Sequence, residues 1–146
     1  SDKGSPFLKS IIINRGSKHN IKIGMVAMDG AYLVGNVVEV NYLSSRVLLL
    51  SDLNSKIPVI IEPNEVFSIL SGTGKDFGVI QYSKKYADIQ NESVIYTSGA
   101  GSLFKTGIPI GRINNNYSDK KKVEFFSDFS QLKFVTILSF IKSEIK

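Results

Sequence analysis

The stretch TSGAGSLFKTGIPIG, residues 97–111, decides the fold class of this sequence. From its third residue it matches the phosphate-loop pattern G-x-x-x-x-G-K-[ST], except that Phe104 stands where the second glycine belongs. A phosphate loop is followed by a helix whose N-terminus faces the phosphates. Here Pro109 lies between two glycines directly after the pattern, and a helix of useful length does not tolerate that spacing. The stretch therefore predicts a wide turn between two strands and not a nucleotide site.

Short runs rich in Val, Ile, Phe and Tyr recur along the chain, and turn-forming residues separate them. No twelve-residue window shows a sustained helical period. One helical turn is expected at Ser127–Leu132, capped by Ser127 or Asp128. Many short strands at this spacing predict an all-β barrel or sandwich. The predicted strands are Val34–Val40, Arg46–Leu50, Pro58–Ile61, Gly78–Tyr82, Val94–Thr97, Ile108–Ile113, Lys122–Phe126 and Phe134–Phe140.

A weak internal repeat suggests two related β units. Residues 16–28 and 101–110 both contain Gly-Ser and then an apolar-Lys-x-Gly-apolar unit, and each copy is followed by a glycine inside a strand, Gly35 or Gly111. A glycine inside a strand marks a bulge or a tight corner. We therefore expect two small β-barrels, the first mainly from residues 11–98 and the second mainly from residues 99–146. Alternatively, residues 11–30 complete the second barrel and make it discontinuous.

Composition excludes several classes of function. The 146 residues include one histidine and no cysteine, which excludes the usual zinc sites and a cysteine nucleophile. His19 is the only available base for a catalytic triad, but it lies among turn residues, and no serine stands in a G-x-S-x-G elbow. Asp52 and Asn54 alternate as in a calcium loop, but the glycine and the final glutamate of that loop are missing. We therefore expect no catalytic residue, no metal and no cofactor.

The net charge of the chain is +5, and its excess lies largely in Lys120, Lys121 and Lys122. These lysines follow the turn-forming residues 114–119. Nucleic-acid-binding surfaces usually have a denser basic stripe with interleaved aromatic residues. The run therefore predicts a solvated hairpin tip, with contact to an anion as the alternative.

Several stretches together resemble the MreC family of rod shape-determining proteins. The matching segments are Ser5–Phe7, Ile13–Ser17, Lys22–Met25, Val34–Val40, Ser45–Val59, Val94–Gly99 and Lys105–Gly111. The motif residues that we expect to hold structural positions are Gly16, Gly24, Gly35, Arg46, Asp52, Asn54, Pro58, Ser98, Gly99, Gly107 and Gly111. This sequence departs from the family at two turns, where Asn20 replaces a glycine and Glu92-Ser93 replaces Gly-Asp.

The resemblance implies a non-enzymatic scaffold of two small β-barrels, one similar to half of a chymotrypsin-type protease without its triad. Such proteins lie on the periplasmic side of the inner membrane and self-associate into dimers or filaments. They act with MreB, MreD, RodA and a class B penicillin-binding transpeptidase in lateral cell-wall elongation, and no nucleic acid is implied. The resemblance also implies that residues 1–10 are a linker after a membrane anchor and a coiled coil that this sequence lacks.

Exposed apolar residues in loops are the candidates for partner contacts. We select Tyr82, Tyr86, Leu103 and Phe104, each with packing in the core or at a barrel end as the alternative. Two other functions stay open from the residues themselves. One is an enzyme with a protease-like barrel that uses His19, and the other is a basic barrel that binds single-stranded nucleic acid.

Overall fold

The computed structural model describes residues 9–82, 89–100 and 105–139, and within these residues every regular element is a β-strand or a short 3₁₀ turn. The all-β prediction is therefore confirmed. The strands are β1 (Ser10–Ile13), β2 (Val26–Asp29), β3 (Tyr32–Val40), β4 (Ser45–Leu49), β5 (Lys56–Glu62), β6 (Val66–Gly72), β7 (Gly78–Tyr82), β8 (Val94–Thr97), β9 (Pro109–Tyr117), β10 (Lys120–Phe125) and β11 (Thr136–Leu138).

Strands β5 to β10 form a closed barrel in the order β10-β7-β6-β5-β8-β9, and all neighbouring strands are antiparallel. Alternate residues of each strand point inward, as the period of two requires. On β5, for example, Ile57, Val59 and Ile61 are buried, whereas Pro58 and Ile60 are partly exposed. The barrel interior is thus filled mainly by aliphatic side chains.

The other five strands form an open sheet in the order β1-β4-β3-β2-β11. Its first four strands come from the start of the chain, whereas β11 returns after the barrel and pairs with β2, Ile137 opposite Ala27. The second unit is therefore a five-stranded sheet with β1 and β11 as its terminal strands. One face of the sheet buries Ala27, Val34, Val37, Val47 and Leu49.

The internal repeat suggested that the two β units meet near residue 98. The boundary between the barrel and the open sheet does not lie there. Strands β8 and β9 lie on either side of that position and are paired neighbours in the barrel, with Ile95 opposite Gly111. The strands separate instead between β4 and β5, and again between β10 and β11. The glycine-rich stretch joins two adjacent antiparallel strands, so it acts as a hairpin connection and not as a linker. The division into independent folding domains stays a prediction.

One apolar cluster joins the sheet to the barrel. Val26 of the sheet belongs to the same buried cluster as the barrel interior. Tyr32 of β3 packs against Phe126, with 5.0 Å between ring centroids, and Phe125 stacks on Phe129 at 4.7 Å. Phe129 contacts the buried clusters of both the barrel and the sheet. The two sheets are therefore held together by continuous apolar packing.

Two turns keep their geometry although this sequence departs from glycine there. Asn20 and Glu92 adopt φ angles of 65° and 72°, in the left-handed region. Glu92 also pairs with Arg112 across 3.2 Å. The hairpin between β9 and β10 is confirmed as well, but its turn is only Ser118–Asp119. Residues 114–116, which we expected in the turn, extend β9 instead.

The expected helical turn before the last strand is confirmed as a 3₁₀ turn, Phe129–Gln131. The carboxylate of Asp128 accepts hydrogen bonds from the hydroxyl of Ser130 at 2.6 Å and from its backbone N–H at 3.0 Å. These two bonds favour the charged carboxylate and lower the pKa of Asp128 from its ordinary value of 3.8.

We expect the carboxyl group of Asp128 to titrate below 3.8 in the folded protein. Because the folded-state pKa is lowered, the contribution of this group to stability is present above the unfolded-state pKa and is lost as the pH falls through the folded-state pKa. NMR titration of the Asp128 carboxyl carbon measures the midpoint. In Ser130→Ala the midpoint should move back toward 3.8, since the hydroxyl donor is removed; an unchanged midpoint would contradict this account.

Candidate partner-binding surface

The TSG and KTG motifs close the base of the connection between β8 and β9. The backbone N–H groups of Gly107 and Ile108 donate to the carbonyl oxygen and the hydroxyl oxygen of Thr97, each at 2.9 Å. The Thr97 hydroxyl in turn donates to the carbonyl oxygen of Lys105. Thr97 is fully buried, and the strand β9 follows. The resemblance to a phosphate loop therefore reflects the chemistry of a turn.

Other motif residues support the same turn. The Thr106 hydroxyl donates to the carbonyl oxygen of Ser98 at 3.3 Å, and the Ser98 hydroxyl accepts the backbone N–H of Ala100 at 3.3 Å. Gly99 and Gly107 adopt φ angles of 78° and 89°, which a residue with a side chain rarely adopts.

Gly35 and Gly111, the two glycines inside strands, each lie against a carbonyl oxygen of the neighbouring strand. A β-carbon on Gly111 would overlap the carbonyl oxygen of Glu124 on the neighbouring strand β10. A β-carbon on Gly35 would overlap the carbonyl oxygen of Leu48 on β4 in the same way. Both glycines therefore allow a neighbouring backbone to approach more closely than any side chain permits.

The motif residues after β4 fix the loop that leads into the barrel. Asp52 is 1% exposed, and its carboxylate accepts the backbone N–H groups of Lys9 at 2.7 Å and Asn54 at 2.8 Å. Arg46 pairs with Glu39 across 3.0 Å. Asp52 thus joins the start of β1 to the loop before β5.

The remaining motif residues lie at further backbone contacts. Gly16 accepts the N–H of His19 and would overlap the carbonyl oxygen of Asn41 if it carried a β-carbon. Gly24 donates to Val37 at 2.9 Å with a φ angle of 95°. The carbonyl oxygen of Pro58 accepts the N–H of Ser98 at 3.4 Å.

The histidine that a protease-like mechanism needs is engaged locally. His19 ends the 3₁₀ turn Ser17–His19 and is partly buried, and its Nδ1 accepts the backbone N–H of Gly16 at 3.2 Å. Within the described ranges, no group of three or more His, Cys, Asp or Glu side chains is placed to hold a metal ion. No helix in the same ranges is long and apolar enough to cross a bilayer.

An apolar surface covers one side of the barrel, and we name it the apolar barrel face. It consists of the outward residues of four adjacent strands, Pro58, Ile60, Phe67, Ile69, Tyr96 and Pro109. Ile60 is the register partner of both Phe67 and Tyr96, so these side chains form a row across β6, β5 and β8. Phe67 is 66% exposed. This row places an aromatic ring on either side of an isoleucine at the protein surface.

The partner-binding residues selected from the sequence mostly fall outside what the structure describes. Tyr86, Leu103 and Phe104 lie outside the described residues, and their role stays a prediction. Tyr82 is described in its backbone only, as the register partner of Ile69 at the border of the apolar barrel face. Sequence reasoning missed Phe67, although one signal was available. Apart from Ser68, residues 66–70 are apolar in both alternating sets of positions, which indicates a strand covered on both sides.

The geometry defines an all-β class of protein, with a closed six-stranded barrel and an open five-stranded sheet. A family model described as "Rod shape-determining protein MreC, barrel core" matches residues 1–139, and the chain belongs to this family. The cell shape-determining protein MreC of Caulobacter vibrioides is 33% identical over 140 residues, which cover 96% of this chain and 40% of that protein. The chain spans less than half the length of the curated relatives it matches.

Solved structures share the fold. The crystal structure of MreC from Pseudomonas aeruginosa aligns with a TM-score of 0.85 at 27% identity, covering 94% of this chain and 92% of that chain. A structure of a complex between Penicillin-Binding Protein (PBP2) and MreC from Helicobacter pylori contains a similar chain, with a TM-score of 0.62 at 22% identity, covering 81% of this chain and 78% of that one. At this identity the second likeness shows the fold alone.

Proposed function

We propose that this chain is a non-enzymatic scaffold of bacterial cell-wall elongation, which maintains rod shape by binding itself and a peptidoglycan synthase. The observation that carries the proposal is the apolar barrel face, because contiguous exposed apolar surface marks sites of protein binding. Membership of the rod shape-determining family supports this role. The hydrogen bond from the Gly16 N–H to Nδ1 of His19 supports the proposal that the chain is not an enzyme. We therefore expect His19→Ala to leave any trace peptidase activity of a preparation unchanged.

The partner that we propose for the apolar barrel face is a class B penicillin-binding transpeptidase. A relative has been solved in complex with a penicillin-binding protein, which supports this choice. The face is aromatic and aliphatic along its central row, as the cores of protein interfaces are. We propose MreB, MreD and RodA as further members of the same assembly, on the family resemblance alone.

Self-association is proposed at the edge of the open sheet. β1 is a terminal strand, and its residue Ile12 is 64% exposed. A terminal strand can accept a further strand from another chain. A second copy that pairs there would give a homodimer, and repeated pairing would give a filament. We place the chain on the periplasmic side of the inner membrane, held there by an N-terminal anchor in the full protein.

We expect Phe67→Ala to weaken binding of the transpeptidase at least about tenfold, because truncation of a central aromatic residue removes most of its contact energy. Surface plasmon resonance with the periplasmic part of the transpeptidase, at physiological salt, measures the affinity. The melting temperature of the variant should stay within about 2 °C of the wild type, since Phe67 is mostly exposed.

Phe134→Ala is the matched control, because Phe134 is 87% exposed and precedes β11 of the open sheet. It should bind the transpeptidase as the wild type does. Equal affinities of Phe67→Ala and the wild type for the transpeptidase would show that the apolar barrel face does not bind it. Absence of wild-type binding up to about 100 µM would refute the transpeptidase as partner.

A further inference from the structure

We propose that a cluster of basic and aromatic residues on the barrel binds the headgroups of an anionic phospholipid bilayer. The cluster, named here the basic cluster, consists of Lys75, Phe77, Tyr117 and Lys122. The inference rests on the proposed function, because it takes the chain to work at a membrane surface.

Aromatic rings hold the two ammonium groups of the basic cluster in place. Nζ of Lys122 lies 4.5 Å from the ring centroid of Phe77, and Nζ of Lys75 lies 5.6 Å from that of Tyr117. The two rings pack edge to face at 4.9 Å. Lys75 also donates to the Tyr117 hydroxyl oxygen at 3.4 Å, so the hydroxyl hydrogen can be donated to a phosphate oxygen. Groups held in this way lose less freedom when they bind an anion.

Positive charge exceeds negative charge around the basic cluster. Lys120 and Lys121 begin the same strand as Lys122, and the acidic residues beside the cluster in sequence are Asp76, Asp119 and Glu124. Asp119 lies 3.8 Å from Lys120, which offsets its charge locally. Lysine and tyrosine side chains suit the border of a bilayer, because their apolar stems or rings face the lipid and their polar ends face water and phosphate.

A hydrogen bond links the loop between β4 and β5 to the turn that carries Lys75. In the turn that carries Lys75, Gly74 donates to the carbonyl oxygen of Ser51 at 2.7 Å, and the adjacent Asp52 holds the N–H of Lys9 at 2.7 Å. Leu53, on the same loop as Ser51 and Asp52, therefore lies near the basic cluster.

An exposed apolar residue on the same loop favours a bilayer over a nucleic acid. Leu53, next to Asp52, is 50% exposed. A leucine among lysines can enter the boundary between headgroups and acyl chains, whereas it gains nothing against a phosphate backbone in water. The combination of Leu53, Tyr117 and the lysines therefore fits a lipid surface.

Co-sedimentation of the 146-residue chain with vesicles tests the inference. We expect binding to vesicles of phosphatidylglycerol and phosphatidylethanolamine that weakens with added salt, and weaker binding to phosphatidylcholine. A chain with Lys75→Gln, Lys120→Gln and Lys122→Gln should bind the anionic vesicles on the order of 100-fold more weakly, about fivefold for each lysine.

The matched control carries Lys18→Gln, Lys22→Gln and Lys133→Gln, and it loses the same charge. The backbone N–H of Lys18 donates to the carbonyl oxygen of Tyr42, which precedes β4. Ser51, which accepts a hydrogen bond from the turn of Lys75, follows the end of β4, so Lys18 lies at the opposite end of that strand from the basic cluster. The control should keep vesicle binding within about threefold of the wild type, because distant exposed charges are screened. Melting curves of both triple variants check that the exposed substitutions leave the fold intact.

Equal losses in the two triple variants, equal binding to neutral vesicles, or no binding to anionic vesicles would overturn the inference. Tighter binding of a single-stranded oligonucleotide than of vesicles would assign the basic cluster to nucleic acid and overturn it too. The same proteins are measured against the transpeptidase. If wild-type binding of the transpeptidase persists while vesicle binding is absent, only this inference fails. If wild-type binding of the transpeptidase is absent, the proposed function fails.

Discussion

Gly111→Val is expected to lower the free energy of unfolding by at least about 3 kcal/mol. The overlap with the carbonyl oxygen of Glu124 involves backbone on both sides, so no side chain can rotate away to relieve it. Strands β9 and β10 must move apart, and both belong to the closed barrel. Urea unfolding followed by circular dichroism measures the loss.

Gly30→Ala is the control for this prediction. Gly30 has a φ angle of 59°, but no atom lies within 4 Å of the position its β-carbon would take. Its substitution should therefore cost only the strain of the left-handed backbone, about 1 kcal/mol. If the two variants lose the same stability, close approach at Gly111 is not what the barrel requires.

Asp52→Ala is expected to cost about 3 kcal/mol of unfolding free energy. The carboxylate is buried and accepts two backbone N–H groups, those of Lys9 and Asn54, and alanine leaves both donors without this acceptor. The start of β1 and the loop before β5 should both loosen. Urea unfolding measures the stability, and hydrogen exchange of the Lys9 and Asn54 amides reports the local effect.

Two further variants distinguish the contribution of the buried hydrogen bonds to stability from that of the negative charge. Asp52→Asn should lose less stability than Asp52→Ala, because an amide oxygen can still accept the N–H of Asn54. Glu39→Ala also removes a negative charge, but Glu39 is exposed in its pair with Arg46, so the loss should stay below about 1 kcal/mol. A loss in Glu39→Ala as large as that in Asp52→Ala would show that charge, and not the buried hydrogen bonds, sets the effect.

Local features of the fold could be predicted from the sequence because they depend on local chemistry. The bounds of β7 and β8 agree with the predicted strands Gly78–Tyr82 and Val94–Thr97. The strand after the KTG motif follows from Pro109 between two glycines, which cannot continue a helix. In contrast, β6 was missed because Ser68 takes an inward position between Val66 and Leu70 and interrupts the apolar alternation that marks a strand.

The grouping of the strands could not be predicted, because it depends on pairs that lie far apart in the chain. Nothing local in Thr136–Leu138 shows that this strand pairs with β2 and not with its neighbour β10. The apolar barrel face was missed for a related reason. The apolar residues of Lys56–Glu62 and Val66–Gly72 fit a buried strand equally well, and only the closed barrel turns Ile60 and Phe67 outward.

The late return of β11 has a consequence for biosynthesis. Ala27 on β2 and Ile137 on β11 are register partners although the whole barrel lies between them in the chain. During synthesis, every strand of the barrel emerges before the strand that completes the open sheet. The edge of β2 therefore stays without its native neighbour until β11 has been synthesised. Pairing of two strands over such a long loop is slow.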